Sequence, residues 1–189
     1  LNVDTTIASG KTGEGIEVAI VDSGLEIAHE DIVDNVVANG SWNYSNSTTD
    51  PTPSGSGPDH GTMVAGIVAA KGWNNLGGRG VAPNASIRAF NLLANYSLIN
   101  EANALGASNV FASDVSVFNM SYGGAGYTSV SSDTVLEYPS ATIFSALAAG
   151  TIGLRGSKGL VRRPTIGATI QASNVSLALV TVNCTCCCK

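Results

Sequence analysis

The feature that most limits the fold is a short apolar run at residues 16–21, I-E-V-A-I-V, entered through Gly13 and Gly15 and left through Asp22-Ser23-Gly24. It does not alternate apolar with polar, so it predicts a strand buried on both faces inside a parallel sheet. Residues 85–93 predict a second strand and 115–121, V-S-V-F-N-M-S, a third, closed by Gly123-Gly124. Between them, residues 62–71, T-M-V-A-G-I-V-A-A-K, predict a buried helix built from small side chains. Gly66 within it costs about 1 kcal/mol against alanine unless close packing uses it. Residues 101–106 predict part of another helix, 130–149 mixed helical character, 77–80 a tight turn and 39–59 a long polar loop. Strands alternating with helices imply a parallel sheet with right-handed crossovers, an α/β fold. No internal repeat is present.

Composition narrows the function classes. Hydrophobic residues make up 44% and charged residues 12%, enough for a core and too apolar for a disordered chain. A net charge of −5 argues against a nucleic-acid partner, which needs a basic face. No run of about 18 uncharged apolar residues occurs, so no membrane span is expected. The chain opens on Leu1 without a basic start and an apolar stretch, so a signal peptide is expected to be absent or already removed. All four cysteines, Cys184, Cys186, Cys187 and Cys188, crowd the end, which excludes a fold-wide disulfide framework within the chain. They lack the paired loops of a zinc site. Asn39, Asn43, Asn46, Asn84, Asn95, Asn119, Asn174 and Asn183 each begin an N-x-Ser/Thr sequon, meaningful only in a eukaryotic secreted chain. A chain rich in Asn, Ser and Thr also makes sequons by chance, and Asn119 falls in an expected buried strand.

Two residues point to chemistry. Asp22 follows a buried strand and His60 opens an apolar helix in H-G-T-M-V-A-G. A strand-end carboxylate and a helix-start imidazole can meet at the carboxyl edge of a parallel sheet. The Asp would fix the ring's tautomer, leaving the other nitrogen as general base for a hydroxyl. Gly61 lets the backbone crowd behind the ring, and Thr62 can tie down the helix start. Taken singly, Asp-Ser-Gly also reads as an ordinary turn and His60 as a cap.

Together the two segments resemble a known family. The stretch 13–31, G-E-G-I-E-V-A-I-V-D-S-G-L-E-I-A-H-E-D, and the stretch 59–70, D-H-G-T-M-V-A-G-I-V-A-A, are similar to the first two catalytic motifs of subtilisin-like serine proteases, in their kexin/furin-like branch. L-N-V at Leu1, D-P-T-P at Asp50, N-N-L-G-G-R-G-V-A-P at Asn74, N-L-L at Asn91, N-M-S-Y-G at Asn119 and L-R-G-S-K-G within 150–159 extend the likeness to about Val161. The resemblance implies a three-layer α/β fold with a mostly parallel central sheet, truncated at its C-terminal part. Residues 1–161 would be the N-terminal part of a peptidase domain and 162–189 a divergent tail. Asp22 would be the triad Asp and His60 the general base. Ser121, Tyr122 and Gly123 would form an edge segment that pairs with extended substrate. Structural Ca²⁺ would be held by the side chains of Asp31 and Asn74 and the carbonyls of Lys71, Leu76 and Gly78, with a further acidic ligand upstream of Leu1; oxygen-only ligands suit this ion. Otherwise Asp31 is a solvated acid and Asn74 a turn residue. The implied partner is a polypeptide substrate or peptide ligand, and the implied location is the secretory pathway.

Other parts of the pattern are missing. The family's nucleophile lies in G-T-S-x-x-x-P and its oxyanion Asn in A-x-G-N; neither segment occurs between Leu1 and Lys189. A frame change or mis-splice near Val161 accounts for this. So does an internal deletion, since T-I-G-A-T at Thr165 resembles the strand after the oxyanion segment. On either account this chain is expected to be inactive, either as an incomplete endopeptidase or as a pseudoprotease that binds extended peptides. It is also expected to fold poorly alone. Convertases carry Asp-Asp where Asp22-Ser23 stands, and acidic residues where Gly124–Tyr127 stands, so cleavage after paired basic residues is not expected. Asp59 reads as a solvated loop acid. A nucleotide-binding module is excluded, because its glycine loop must follow the strand.

Overall fold

The computed structural model describes residues 3–55, 59–107, 110–112, 114–122 and 141–149. Gly123, the stretch 150–159, the tail 162–189 and all four cysteines lie outside them. Among the described residues, four strands form one sheet: β1 (Glu17–Asp22), β2 (Trp42–Asn43), β3 (Ser86–Asn91) and β4 (Val117–Asn119), in the order β2-β3-β1-β4 with every neighbouring pair parallel. β1 lies inside the sheet, and Ala19, Ile20 and Val21 are fully buried. The run expected to be a buried strand is buried from Val18 onward, while Ile16 is 39% exposed and Glu17 half-buried.

Among the described residues, four α-helices accompany the sheet: α1 (Asp4–Ala8), α2 (His60–Ala69), α3 (Leu98–Ala104) and α4 (Ala141–Ala149). Alternation along the strands sorts them into layers. Val18, Ile20, Ile87 and Ala89 pack with Val64, Ala65 and Ala69 of α2 on one face. Ala19, Val21, Phe90 and Phe118 pack with Ala102, Ala104, Ile143 and Ala146 of α3 and α4 on the other. This is the three-layer α/β arrangement expected from the sequence. Burying a Phe or Ile side chain stabilises by about 1.5–3 kcal/mol. The face with Phe90 and Phe118 therefore carries much of the described core, while the α2 face uses small residues and brings helix backbone close to strand backbone.

Several elements differ from expectation. The polar loop 39–59 contains β2, whose two residues continue the sheet beside Phe90 and Asn91. α3 begins at Leu98, where the Ser97 side chain accepts a hydrogen bond from the Asn100 amide. β4 is confined to Val117–Asn119, and the described part of 130–149 is α4. A Cβ on Gly66 would meet nothing within 4 Å among the described residues, so no close packing there offsets the glycine. Asp59 is the N-cap of α2 rather than a solvated loop acid: its carboxylate accepts from the Thr62 amide at 3.1 Å and from the Thr62 hydroxyl. No helix among the described residues is long and apolar enough to cross a membrane.

Candidate active site

β1 ends on Asp22 and α2 starts on His60, so both side chains arrive at the carboxyl edge of the sheet on its α2 face. His60 Nδ1 lies 2.8 Å from Asp22 Oδ1. An ionised carboxylate only accepts, so Nδ1 carries the hydrogen, and in the neutral ring Nε2 keeps a lone pair. The Asp22 side chain is fully buried and the His60 side chain 39% exposed, which leaves the ring's far edge open to a reactant. The Ser23 amide donates to the same Asp22 oxygen at 2.7 Å. In a buried setting such hydrogen bonds are stronger than in water.

Backbone contacts lock the pair. The Gly61 amide donates to Ser23 Oγ at 3.1 Å, and the Glu26 amide donates to Thr62 Oγ at 2.8 Å. The turn after β1 is thus tied to the first turn of α2 at two points. A Cβ on Gly61 would overlap the Gly24 carbonyl oxygen, so glycine is required there. Gly24 itself has φ 113, and its neighbour Leu25 donates its amide to the Pro51 carbonyl at 3.1 Å. Beside Pro51, the Thr52 side chain and its backbone N–H hydrogen-bond the Asp50 carboxyl and hold it below its ordinary range.

Two asparagines that the sequence offered only within N-L-L and N-M-S-Y-G also stand at the site. Asn91 and Asn119 are each 2% exposed and end β3 and β4 on the same face as Asp22. Asn91 Oδ1, Asn119 Oδ1 and Asp22 Oδ2 have no hydrogen-bond partner among the described residues. The signal was available: each is a polar residue closing an apolar strand, as Asp22 is. Glu101 was missed. It is 2% exposed on α3 and accepts from the Tyr96 and Tyr122 hydroxyls at 3.0 and 3.1 Å. Tyr122 is thereby fixed just beyond β4, while Ser121 Oγ accepts from Asn119 Nδ2 at 2.9 Å. Gly123, the third residue of that expected edge segment, is not described.

The residues suggested for calcium gather around Asp31, which is 5% exposed and therefore not a solvated acid. Asn74 Nδ2 donates to Asp31 Oδ1 at 2.8 Å and the Gly78 amide to Oδ2 at 3.1 Å. The Lys71 amide donates to the Asp31 carbonyl at 2.8 Å, and the Leu76 amide to Asn74 Oδ1 at 3.2 Å. A Cβ on Gly77, at φ 37, would overlap Asp31 Oδ2, so the loop closes on the carboxylate only through a glycine. A carboxylate and an amide oxygen are hard donors of the kind Ca²⁺ takes, while here N–H groups of Asn74 and Gly78 face the Asp31 carboxylate and Asn74 Oδ1 accepts from Leu76. No group of three His, Cys, Asp or Glu side chains lies together among the described residues.

Known proteins resemble this chain in sequence and fold. Residues 13–173, well over half the chain, match the subtilase family of peptidases. The extracellular serine protease of Aeromonas sobria is 44% identical over 126 residues, 65% of this chain and 20% of that protein. Kexin of Saccharomyces cerevisiae is 38% identical over 151 residues, 79% of this chain and 18% of that protein. Subtilisin E of Bacillus subtilis is 36% identical over 162 residues, 83% of this chain and 40% of that protein. Among solved structures, the Aeromonas sobria protease aligns with TM-score 0.57 at 43% identity over 67% of this chain and 21% of that chain. A protease of Pseudoalteromonas arctica aligns with TM-score 0.60 at 25% identity over 78% of this chain and 49% of that chain. The chain thus spans less than half the length of each of these relatives, and its likeness reaches bacterial subtilisins as well as kexin. It belongs to the subtilase family.

Proposed function

We propose that Asp22 and His60 are the acid–base half of a serine endopeptidase site. The observation that carries this reading is the 2.8 Å contact between a fully buried carboxylate and an imidazole whose other edge faces solvent. Asp22 holds the ring in the tautomer with Nε2 free and stabilises the imidazolium that forms when Nε2 takes a hydroxyl proton. Ser121, Tyr122 and Gly123 would supply backbone to an extended peptide, Tyr122 being anchored through Glu101. The family match and the kexin and subtilisin relatives support this chemistry.

Within these 189 residues the chemistry stops at the base, because neither G-T-S-x-x-x-P nor A-x-G-N is present. In subtilisin, the reference case for such losses, removing the serine alone costs roughly 10⁶-fold in turnover. The chain is therefore inactive by itself, and its second reading is a non-catalytic holder of extended peptides. A fluorophosphonate probe, which reacts only with an activated serine, tests this. No labelling is expected; labelling that disappears in H60A would show a nucleophile and overturn it.

Three finer assignments belong to the same reading. The motifs at 13–31 and 59–70 favour the kexin/furin branch. The relatives named extracellular, or kexin itself, support a secreted or secretory-pathway protein. Calcium would be held by the side chains of Asp31 and Asn74 with carbonyls of Lys71, Leu76 and Gly78, and would neutralise a carboxylate that is otherwise buried. A ligand that binds only the folded state at 100 times its dissociation constant adds about 2.7 kcal/mol. Calcium should accordingly raise the melting temperature, chelator should reverse the rise, and D31N should abolish it.

A further inference from the structure

Six sequons fall on described residues, and the fold separates them. Asn43 and Asn119 are 3% and 2% exposed, so neither amide faces water. Asn84 and Asn95 are exposed, yet each spends Nδ2 inside the protein, on Thr12 Oγ at 3.0 Å and on the Tyr44 carbonyl at 2.9 Å. Asn39 is exposed, but its sequon partner Ser41 is 2% exposed and its hydroxyl accepts from the Ala89 amide. Asn46 differs from all five. Asn46 and Thr48 are both exposed, and Thr48 Oγ lies 2.8 Å from Asn46 Oδ1, with the Asp50 carbonyl farther off at 3.4 Å. Asn46 Nδ2 makes no hydrogen bond among the described residues.

We infer, on the secretory-pathway reading above, that Asn46 is the acceptor of an N-linked oligosaccharide. The donor class is a lipid-diphosphate-linked oligosaccharide. Nδ2 forms the bond to the sugar's anomeric carbon, and the bond from that carbon to the diphosphate oxygen breaks. The lipid diphosphate leaves with the bonding pair, and one amide proton passes to the transferring enzyme's base. The Thr48 hydroxyl completes the N-x-Thr sequon that the transferring enzyme reads. An unfolded chain offers every sequon, but the fold must then carry the product. A glycan on Asn43 or Asn119 would have to be solvated inside the sheet, whereas one on Asn46 stays in water.

The position also has a structural use. Asn46 lies in the turn closed by the Ser47 amide donating to the Asn43 carbonyl at 2.8 Å, with Ser47 at φ 60. That turn follows β2, the outermost strand on its side of the described sheet. Thr48 bridges Asn43 across that turn and covers part of the β2 edge, and a hydrated glycan beside it blocks approach to the rest.

The test is expression of the full chain in a eukaryotic secretory host behind a heterologous signal peptide, so that delivery does not depend on the chain's own address. Enzymatic deglycosylation in heavy-oxygen water followed by peptide mass spectrometry marks each occupied asparagine as labelled aspartate. Label at Asn46, and loss of one gel-mobility step in both N46Q and T48V, are expected; T48V leaves the asparagine itself intact. An unlabelled Asn46 in secreted chain would overturn the assignment, whether label sits on another sequon or nowhere while a sequon on an appended tag is occupied. Failure of the endopeptidase reading would leave this result unchanged, because the assay reads no activity.

Discussion

A methyl group on Gly61 would overlap the carbonyl oxygen of Gly24, and this one contact decides how His60 meets Asp22. Backbone, unlike the end of a flexible side chain, cannot swing aside. G61A must therefore push the first turn of α2 away from the end of β1, stretching the Gly61 amide to Ser23 Oγ contact first. Overpacking of this kind costs about 1–3 kcal/mol, and more where backbone is the obstacle. The expected result is a lower urea midpoint together with loss of the low-field imidazole N–H signal that a His60–Asp22 hydrogen bond gives in NMR. An unchanged signal would mean that the helix start can tilt without moving the ring. Asp22 and His60 were legible in the sequence because each lies at an abrupt change of pattern, strand to turn and loop to helix. Asn91 and Asn119 are legible only as polar residues closing strands, Asn119 in a strand expected to be buried, and Glu101 is not legible. What brings them together comes from elements far away in sequence, and a lone Asn or Glu is most often a surface residue.

In α2, Asp59 reads in sequence as a solvated loop acid but caps the helix, and Gly66, which costs stability unless close packing uses it, has an open Cβ position. These two residues set up a paired prediction. Removing an N-cap carboxylate costs about 1 kcal/mol. Asp59 also orders the Thr62 hydroxyl that receives the Glu26 amide, so D59A should lose at least that much. Glycine to alanine inside a helix gains about 0.5–1 kcal/mol where no clash follows. G66A should thus raise the melting temperature while D59A lowers it, both measurable by circular dichroism. A destabilised G66A would reveal a close neighbour outside the described residues. β1 and β3 were readable because a strand buried on both faces is apolar throughout. β2 was not, since two residues in a polar loop carry no periodicity and pair only because Phe90 and Asn91 lie beside them.

At the scale of the whole molecule, the described sheet ends in β2 on one side and β4 on the other. On the outer side of α2, Met63 is 48% and Ile67 36% exposed, one turn apart on the helix that begins with His60. Subtilase relatives are more than twice the length that this chain spans. Exposed apolar side chains on one helix face favour self-association of the isolated chain. Sedimentation should show mass rising with protein concentration. M63Q together with I67Q should reduce that rise without lowering the melting temperature, because side chains that are already a third to a half exposed contribute little to the core. If the double variant associates as strongly as the parent, the strand edges and not the helix stripe drive the contact. A charged residue placed on the β4 edge would then be the change that restores the monomer.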